Sequence, residues 1–338
     1  FCTPASRNDR VEGEANADTF YGLQHDILFS VGPGAYGSTQ PKSIADLNSE
    51  EYPANEQTYR EYIQYLVQQY PDVIYWEMGN EANYSAFWGD TPENYARFVT
   101  LSSTEIKNLC PGCKVGISLT NPDPGASWFN AITGVCDDID FLDLHHYQSS
   151  TMSELALFET SSLTAWKASC PGKEIISTET GLPSVPVTFK GETWQLGKNE
   201  TEQGQDIIKY FTMMFNAGYG KIYNYLIDHD FVAGEADIFE SIGVLRMDGT
   251  KKVSFTTYLV MISKLDHFVS VARLSAGQYK YTFTHKNPVF VLWCDSGSCA
   301  LTSEVSGTVK ITDYLGNEQT MSSGQIVLTR SPVFVEGN

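Results

Sequence analysis

An apolar run that stops at two polar residues is the strongest constraint in the sequence: Val73-Ile-Tyr-Trp-Glu-Met-Gly-Asn80-Glu81. Short apolar runs of this kind are typical of parallel strands that are buried on both faces. Glu174-Ile-Ile-Ser-Thr-Glu179 repeats the design and also ends at a glutamate. The two stretches predict two buried strands, each of which carries a carboxyl group at its carboxyl-terminal end.

Strand and helix patterns alternate around these two stretches. Apolar runs predict strands near residues 26–31, 73–81, 114–119, 139–147, 174–179 and 221–227. Helical spacing or capping residues predict helices near residues 55–70, 91–108, 127–133, 152–168, 201–217 and 254–265. About six βα units in a row favour an α/β fold of the (β/α)8 TIM-barrel type over an open sheet.

The barrel predicted for residues 1–265 is incomplete at its N-terminus. A full barrel needs two more βα units, and residues 1–25 are too few to hold them. An incomplete barrel has open strand edges, which invite pairing with another chain. We therefore expect a homo-oligomer, most simply a dimer, that covers the open barrel edge.

The sequence pattern changes near residue 266. Strand-like runs near residues 279–284, 289–294, 309–313, 325–329 and 333–336 are separated by turn residues. Such short strands with frequent turns indicate antiparallel pairing. Residues 266–338 are therefore predicted to form a small antiparallel β-sandwich domain.

The charge of the chain limits its partners. The formal net charge is -19, and a field of this sign repels nucleic acids, anionic membranes and polyanionic substrates. No apolar run approaches the roughly eighteen residues of a membrane span. A neutral substrate, with no nucleic acid and no membrane partner, fits this composition best.

Cysteine spacing indicates disulfides. Cys294 and Cys299 can close a hairpin, and Cys110, Cys113, Cys136 and Cys170 all precede predicted strands. A zinc site needs four ligands in the right geometry, so disulfides in an oxidising compartment are favoured. We expect a secreted protein, in the extracellular space or a periplasm. Seven cysteines leave one thiol over.

Several polar residues fall at predicted strand ends, which meet at one mouth of a barrel. They are Glu81, His145, Tyr147, Glu179 and the segment 223–230 that contains Tyr225. A lone glutamate at a strand end is usually an ion-pair partner. Two of them suit the cleavage of a glycosidic bond with retention, where one carboxyl group protonates the leaving oxygen and another attacks the anomeric carbon.

The same residues carry a resemblance to a known group. Trp-Glu-Met-Gly-Asn80-Glu81 resembles the strand-4 signature of clan A glycoside hydrolases, and Ser177-Thr-Glu179 resembles their strand-7 nucleophile. His145-His-Tyr147 resembles the strand-6 motif of that clan. The β domain, preceded by Gly243-Val-Leu-Arg-Met-Asp-Gly-Thr-Lys251, is similar to that of family 39 and its relatives in families 30, 51 and 79.

The resemblance implies a role for each motif. Glu81 is the expected acid/base, Glu179 the expected nucleophile, and Asn80 the expected partner of the sugar 2-hydroxyl. His145 and Tyr147 are expected to orient Glu179 and the sugar. Neither a cofactor nor a metal ion is expected.

Three further aromatic residues are candidates for sugar binding. Trp88 and Trp194 lie on predicted loops at the mouth, where they could stack on sugar rings or anchor their loops in a hydrophobic cluster. Tyr225 falls at the end of the last predicted barrel strand.

The sequence therefore predicts a retaining hydrolase that cleaves β-glycosidic bonds of neutral oligo- or polysaccharides, of β-xyloside or β-glucoside type. Exo action comes first by family likeness, and endo action is the alternative. The missing strands leave open a carbohydrate-binding barrel without catalysis, although both carboxyl groups are present. A transglycosylase would share the same two glutamates.

Overall fold

The computed structural model describes residues 28–32, 51–120, 127–147, 163–189, 192–225, 241–246, 248–295, 297 and 299–337. The strands before residue 230 are β1 (Leu28–Val31), β2 (Tyr75–Met78), β3 (Lys114–Thr120), β4 (Phe141–His145), β5 (Glu174–Thr180), β6 (Thr188–Phe189), β7 (Glu192–Thr193) and β8 (Tyr219–Asn224). The helices are α1 (Glu56–Gln69), α2 (Pro92–Leu109), α3 (Ser127–Thr133), α4 (Glu200–Ala217) and α5 (Val253–Leu265), and residues 163–169 are also helical.

Six of these strands form one sheet in the order β1-β2-β3-β4-β5-β8. Strands β1 to β5 pair in parallel, each beside the strand that precedes it in the sheet. This order, with helices between successive strands, is that of a (β/α) barrel. The predicted fold class is confirmed as a partial barrel within the residues that the structure describes.

Contacts divide the described residues into two compact units. The first holds the described residues up to His146 together with 163–178, and the second holds Tyr147 together with the described residues from Glu179 onward. Helices α4 and α5 and the C-terminal strands belong to the second unit.

In the first unit, capping residues explain where the helices begin. Asn55 accepts a hydrogen bond from the Thr58 amide at the start of α1, and Thr91 does the same for Asn94 at the start of α2. Pro92 occupies the first turn of α2, where its missing amide hydrogen costs nothing. The helices predicted at 55–70, 91–108 and 127–133 are confirmed, and the first part of the helix predicted at 152–168 lies outside the described residues.

In the second unit, an antiparallel sheet follows α5. Its strands are β9 (Ser270–Ser275), β10 (Gln278–Thr282), β11 (Val289–Leu292), β12 (Thr308–Asp313), β13 (Glu318–Ser322) and β14 (Val333–Gly337), in the spatial order β13-β12-β14-β11-β10-β9. Its buried side chains include Leu292, Val309, Ile311 and Val335. The predicted C-terminal antiparallel β domain is confirmed, and its described strands form one sheet.

Two strands of this sheet were missed and one was predicted wrongly. Strands β9 and β13 are the sheet edges, and most of their side chains are exposed. They therefore lack the apolar alternation on which strand prediction depends. The strand predicted at 325–329 is wrong, because Ser323–Gln325 forms a short 3-10 helix and no strand follows until β14.

Three disulfides join cysteines that the sequence singled out. They are Cys110–Cys113, Cys136–Cys170 and Cys294–Cys299. The predicted hairpin disulfide is confirmed. The zinc alternative is excluded for the other four sulfurs, since a bridged sulfur is no thiolate ligand. Cys2 lies outside the described residues.

Among the described residues, none of the helices combines the length and the apolar character that crossing a bilayer requires.

An ion-pair cluster around the buried side chains of Asp206 and Lys209 connects α4 to the loops of the β domain within the second unit. Lys209 has 1% of its side chain exposed and lies 2.8 Å from Asp295 and 3.4 Å from Asp206. Arg330 Nη2 lies 3.0 Å from the other oxygen of Asp206. Burial raises the pKa of Asp206, although the charges of Lys209 and Arg330 oppose that rise.

Replacing Lys209 by Met should destabilise the protein strongly, because the substitution leaves Asp206 buried with one cation fewer. Breaking a buried ion pair on one side typically costs about 3–5 kcal/mol. Lys280→Met is the matched control, since Lys280 pairs with Glu304 at 2.6 Å while 31% of its side chain stays exposed. Exposed pairs are worth about 0–1 kcal/mol. Chemical denaturation of both variants measures the difference, and equal losses would contradict this account of the cluster.

Candidate active site

The backbone that follows β2 is fixed to both neighbouring strands. Gly79, at φ 74°, donates its amide hydrogen to Val31 O at 2.9 Å, and Glu81 donates its amide hydrogen to Ser118 Oγ at 3.2 Å. Glu81 itself has φ 39°, which a residue with a Cβ rarely adopts. Such conformations persist only where the surroundings hold them, and they concentrate at functional sites. The turn thus places Glu81 just beyond the carboxyl end of β2.

The carboxyl group of Glu81 contacts the last residue of β4. His145 Nδ1 lies 3.0 Å from Glu81 Oε1. The His145 side chain is fully buried, and that of Glu81 keeps 13% of its surface exposed. The buried ring of His145 therefore contacts Glu81. Its expected roles in binding the sugar and orienting Glu179 stay predictions.

The other ring nitrogen of His145 is also surrounded by polar groups. His145 Nε2 lies 3.0 Å from Thr178 Oγ1, 3.1 Å from Ser118 Oγ and 3.3 Å from Asp143 Oδ2. These partners come from β3, β4 and β5. The imidazole plane is therefore fixed from three strands, and with it the position of the Glu81 carboxyl group.

A second pair of carboxyl groups lies beneath the histidine. Asp143 accepts hydrogen bonds from the Thr178 amide at 2.9 Å and from the Thr178 hydroxyl. Glu77, on β2, is buried, and one oxygen each of Glu77 and Asp143 and one nitrogen of His145 lie within 4.8 Å of one another. The sequence analysis missed both acids. Their signal was an acidic residue in the middle of an apolar run, Glu77 in 73–81 and Asp143 in 139–147.

The two buried acids differ in proton affinity. Burial raises the pKa of Glu77 well above its usual range, and the negative charge of Asp143 raises it further. Burial alone would also raise the pKa of Asp143, but the charge of His145 and hydrogen bonds from Glu77, His145 and Thr178 lower it overall. A proton shared by the pair therefore favours Glu77 over Asp143.

The second glutamate has its own partner, in the second unit. Tyr147 Oη donates a hydrogen bond to Glu179 Oε2 at 3.0 Å. The ring of Tyr225 meets that of Tyr147 edge to face, with 6.4 Å between centroids. The Tyr225 amide donates to Thr180 O at 2.7 Å, which joins the end of β5 to the end of β8. The structure thus groups Glu179, Tyr147 and Tyr225, as their positions at strand ends suggested.

The two tryptophans are loop anchors. Trp88 is 3% exposed, packs its ring against Tyr95 and Phe98, and donates its indole hydrogen to Thr91 O. Trp194 is 4% exposed. Neither indole offers a free face, so the expected stacking on sugar rings is not supported for either. Asn80 is partly exposed in the turn before Glu81.

Comparison with known proteins agrees with this architecture. No family model matches the sequence, and no curated protein sequence matches it. The structure is similar to that of a family 39 glycoside hydrolase from Bacteroides cellulosilyticus WH2, with a TM-score of 0.70 and 15% identity over 96% of this chain and 71% of that one.

Two further solved structures share the fold. One is a glucosidase from Croceicoccus marinus, with a TM-score of 0.63 and 11% identity over 95% of this chain and 81% of that one. The other belongs to the fungal β-1,4-galactanases, with a TM-score of 0.58 and 16% identity over 78% of this chain and 85% of that one. At such identities the likeness shows the fold, which agrees with the clan A, family 39 resemblance of the motifs.

The raised pKa of Glu77 predicts a pH dependence of stability. Between the ordinary glutamate pKa of 4.5 and the raised value, folding takes up a proton at Glu77. The contribution of this group is therefore fully present below pH 4.5 and is lost as pH rises, by up to about 1.4 kcal/mol per pH unit.

Glu77→Gln should remove that part of the slope, because the amide does not titrate. Urea denaturation at a series of pH values above 4.5 measures it. The exposed Glu93→Gln variant is the matched control and should keep the wild-type dependence. Identical slopes in wild type and Glu77→Gln would show that Glu77 folds in its ionised form.

Proposed function

We propose that this chain is a retaining glycoside hydrolase that cleaves β-glycosidic bonds of neutral glycans, with Glu81 as acid/base and Glu179 as nucleophile. The observation that carries the proposal is that each glutamate ends or follows a buried strand and is held by a side chain from the end of β4. His145 contacts Glu81 and Tyr147 contacts Glu179, both at 3.0 Å. Retention further requires the two carboxyl groups to lie about 5–5.5 Å apart.

The hydrogen bond from the Tyr147 phenol prepares the Glu179 carboxylate for nucleophilic attack. A hydrogen bond donated to a carboxylate favours its charged form. The bond goes to Oε2, and Oε1 is the oxygen that we assign to the attack on the anomeric carbon. In that step the bond between this carbon and the leaving oxygen breaks, and the glycosyl group becomes an ester of Glu179.

Glu81 is placed to move the proton in both steps. His145 contacts Oε1, and the remaining exposure of the side chain leaves Oε2 for the substrate. Glu81 first gives its proton to the leaving oxygen. It then accepts a proton from the water that hydrolyses the ester, and this regenerates the acid.

The net charge and the shared fold support the proposed substrate class. The net charge of -19 disfavours anionic glycans. Similar structures include a glucosidase, β-1,4-galactanases and a family 39 enzyme. We place β-glucosides and β-xylosides first, with exo action ahead of endo action. Asn80 and Tyr225 are the residues offered for sugar binding.

The three disulfides support an extracellular location. Disulfides form and persist mainly in oxidising compartments. Those of this chain close loops in both compact units. A secreted enzyme that acts on glycans outside the cell fits them.

Loss of the nucleophile should abolish turnover. We expect the wild type to hydrolyse at least one member of a panel of aryl β-glycosides, and Glu179→Gln to lower kcat/KM by several orders of magnitude, because no covalent intermediate can form. Glu174→Gln is the matched control: the same substitution at the other end of β5 should leave the rate within about threefold of wild type. A folded wild type that binds glycans without turnover would support the binding-barrel alternative instead.

The two carboxyl groups can be distinguished with azide. In Glu81→Ala, azide should enter from the face of the missing carboxyl group and react with the glycosyl ester, which gives a β-glycosyl azide. In Glu179→Ala, azide should replace the nucleophile and give the α-anomer. An α-azide from Glu81→Ala and a β-azide from Glu179→Ala would mean that the two glutamates have the opposite roles.

Transfer of the sugar to an added acceptor in preference to water would indicate the transglycosylase.

A further inference from the structure

The polar groups beneath Glu81 carry an inference that rests on the proposed role of that residue. We propose that Glu77 and Asp143 form a buried carboxylic acid–carboxylate pair that holds His145 as an imidazolium, and that through His145 this pair positions Glu81 and controls its protonation. Glu77, Asp143 and His145 are thus positioning residues. All of them lie in the first compact unit.

The hydrogen atoms around Thr178 determine the state of His145 Nε2. Thr178 donates its hydroxyl hydrogen to Asp143 Oδ2, so its oxygen meets His145 Nε2 as an acceptor. Asp143 Oδ2, 3.3 Å from the same nitrogen, is an acceptor as well. A bare nitrogen would direct its lone pair at both oxygens. Ser118 Oγ, at 3.1 Å, has one hydroxyl hydrogen that could reach a bare Nε2, but that contact would leave the other two oxygens facing a lone pair. The two acceptors, one of them a carboxylate, therefore favour a hydrogen on Nε2.

The other nitrogen faces an acceptor too. His145 Nδ1 lies 3.0 Å from Glu81 Oε1, so one hydrogen belongs between them. Asp143 Oδ2, 3.3 Å from Nε2, favours the positive form of the ring, because an opposite charge within about 4–6 Å stabilises an ion. With Nε2 already protonated, a hydrogen on Nδ1 makes the ring an imidazolium.

Charge balance explains why two buried acids are present. Glu77 and Asp143 are both fully enclosed, and two adjacent carboxylates would repel each other. Among the described residues no hydrogen-bond donor reaches Glu77 Oε2. A proton on Glu77 that is shared with Asp143 satisfies both groups and leaves one negative charge, which the imidazolium neutralises. The set of Glu77, Asp143 and His145 is then neutral overall.

This arrangement suits the two tasks of Glu81. The imidazolium N–H holds Oε1 in one orientation, and it stabilises the carboxylate that remains after Glu81 has given its proton to the leaving oxygen. It also leaves Oε2 as the oxygen that exchanges protons with substrate and water. If Asp143 were neutral, the ring would lose its proton more readily and that support would weaken.

A metal ion is the rival explanation for two acids beside a histidine. It would need the lone pair of His145 Nε2, but that nitrogen faces two acceptors and must present a hydrogen to them. Both oxygens of Asp143 also accept hydrogen bonds from Thr178. The shared proton accounts for these contacts without an ion.

Nitrogen NMR of histidine-labelled protein tests the proposal without any glycoside. The chain has six histidines, and the His145 signals are those absent from His145→Gln. At pH 7.5 we expect both ring nitrogens of His145 to be protonated in the wild type. Asp143→Asn should convert the ring to a neutral form at that pH. Glu77→Gln, whose amide can still donate to Asp143, should retain the imidazolium and serves as the control.

Kinetics add a readout that a purely structural role would not change. Where the wild type turns over an aryl glycoside, Asp143→Asn should lower kcat about tenfold or more and move the pH profile, with KM nearly unchanged, and the exposed Glu93→Gln variant should stay close to wild type. A neutral His145 in the wild type, or an imidazolium that survives in Asp143→Asn, overturns the proposal. One equivalent of metal in the wild type that is lost in Asp143→Asn overturns it as well. Absence of turnover would count against the proposed function alone, since the NMR result does not depend on it.

Discussion

The contact between His145 and Glu81 depends on a large part of the parallel sheet. Glu81 reaches it from a turn with positive φ after β2, and Ser118 of β3 holds that turn through the Glu81 amide. His145 ends β4, and Thr178 of β5 fixes its ring from the other side. This 3.0 Å contact therefore depends on the register in which the four strands β2 to β5 pair. A shift of one residue in any of these strands would turn its side chains to the opposite face and separate the residues around His145 and Glu81.

Buried charge is accommodated in the same way in both compact units. In the first, burial raises the pKa of Glu77, and the charge of His145 and hydrogen bonds lower the pKa of Asp143. In the second, Asp206 lies between Lys209 and Arg330. Burying an ion is tolerable only with a partner of opposite charge and with its hydrogen bonds satisfied.

Much of the barrel could be predicted because parallel strands are apolar along their whole length. The runs that end at Glu81 and Glu179 stand out for this reason, and so do the helices with Asn55 or Thr91 at their start. Edge strands such as β9 and β13 could not be found, since exposed strands show neither an apolar run nor an apolar alternation.

In the candidate site, Glu81, Glu179, Tyr147 and Tyr225 were recognisable from their places at strand ends. Glu77 and Asp143 were not, because an acid inside an apolar run acquires meaning only from the neighbouring strand. The burial of Trp88 likewise depends on Tyr95 and Phe98, which come from the helix that follows it.

The central claim is that Glu179 forms a covalent bond to the sugar. The most direct measurement is intact mass after reaction with 2-deoxy-2-fluoro-β-glucosides and β-xylosides that carry a good leaving group, followed by peptide mapping. The fluorine slows hydrolysis of the ester, so the account predicts a mass increase of one fluoroglycosyl group, located on the peptide that contains Glu179. A label on Glu81 or elsewhere, or normal turnover of these glycosides with no labelled protein at any time, would contradict it.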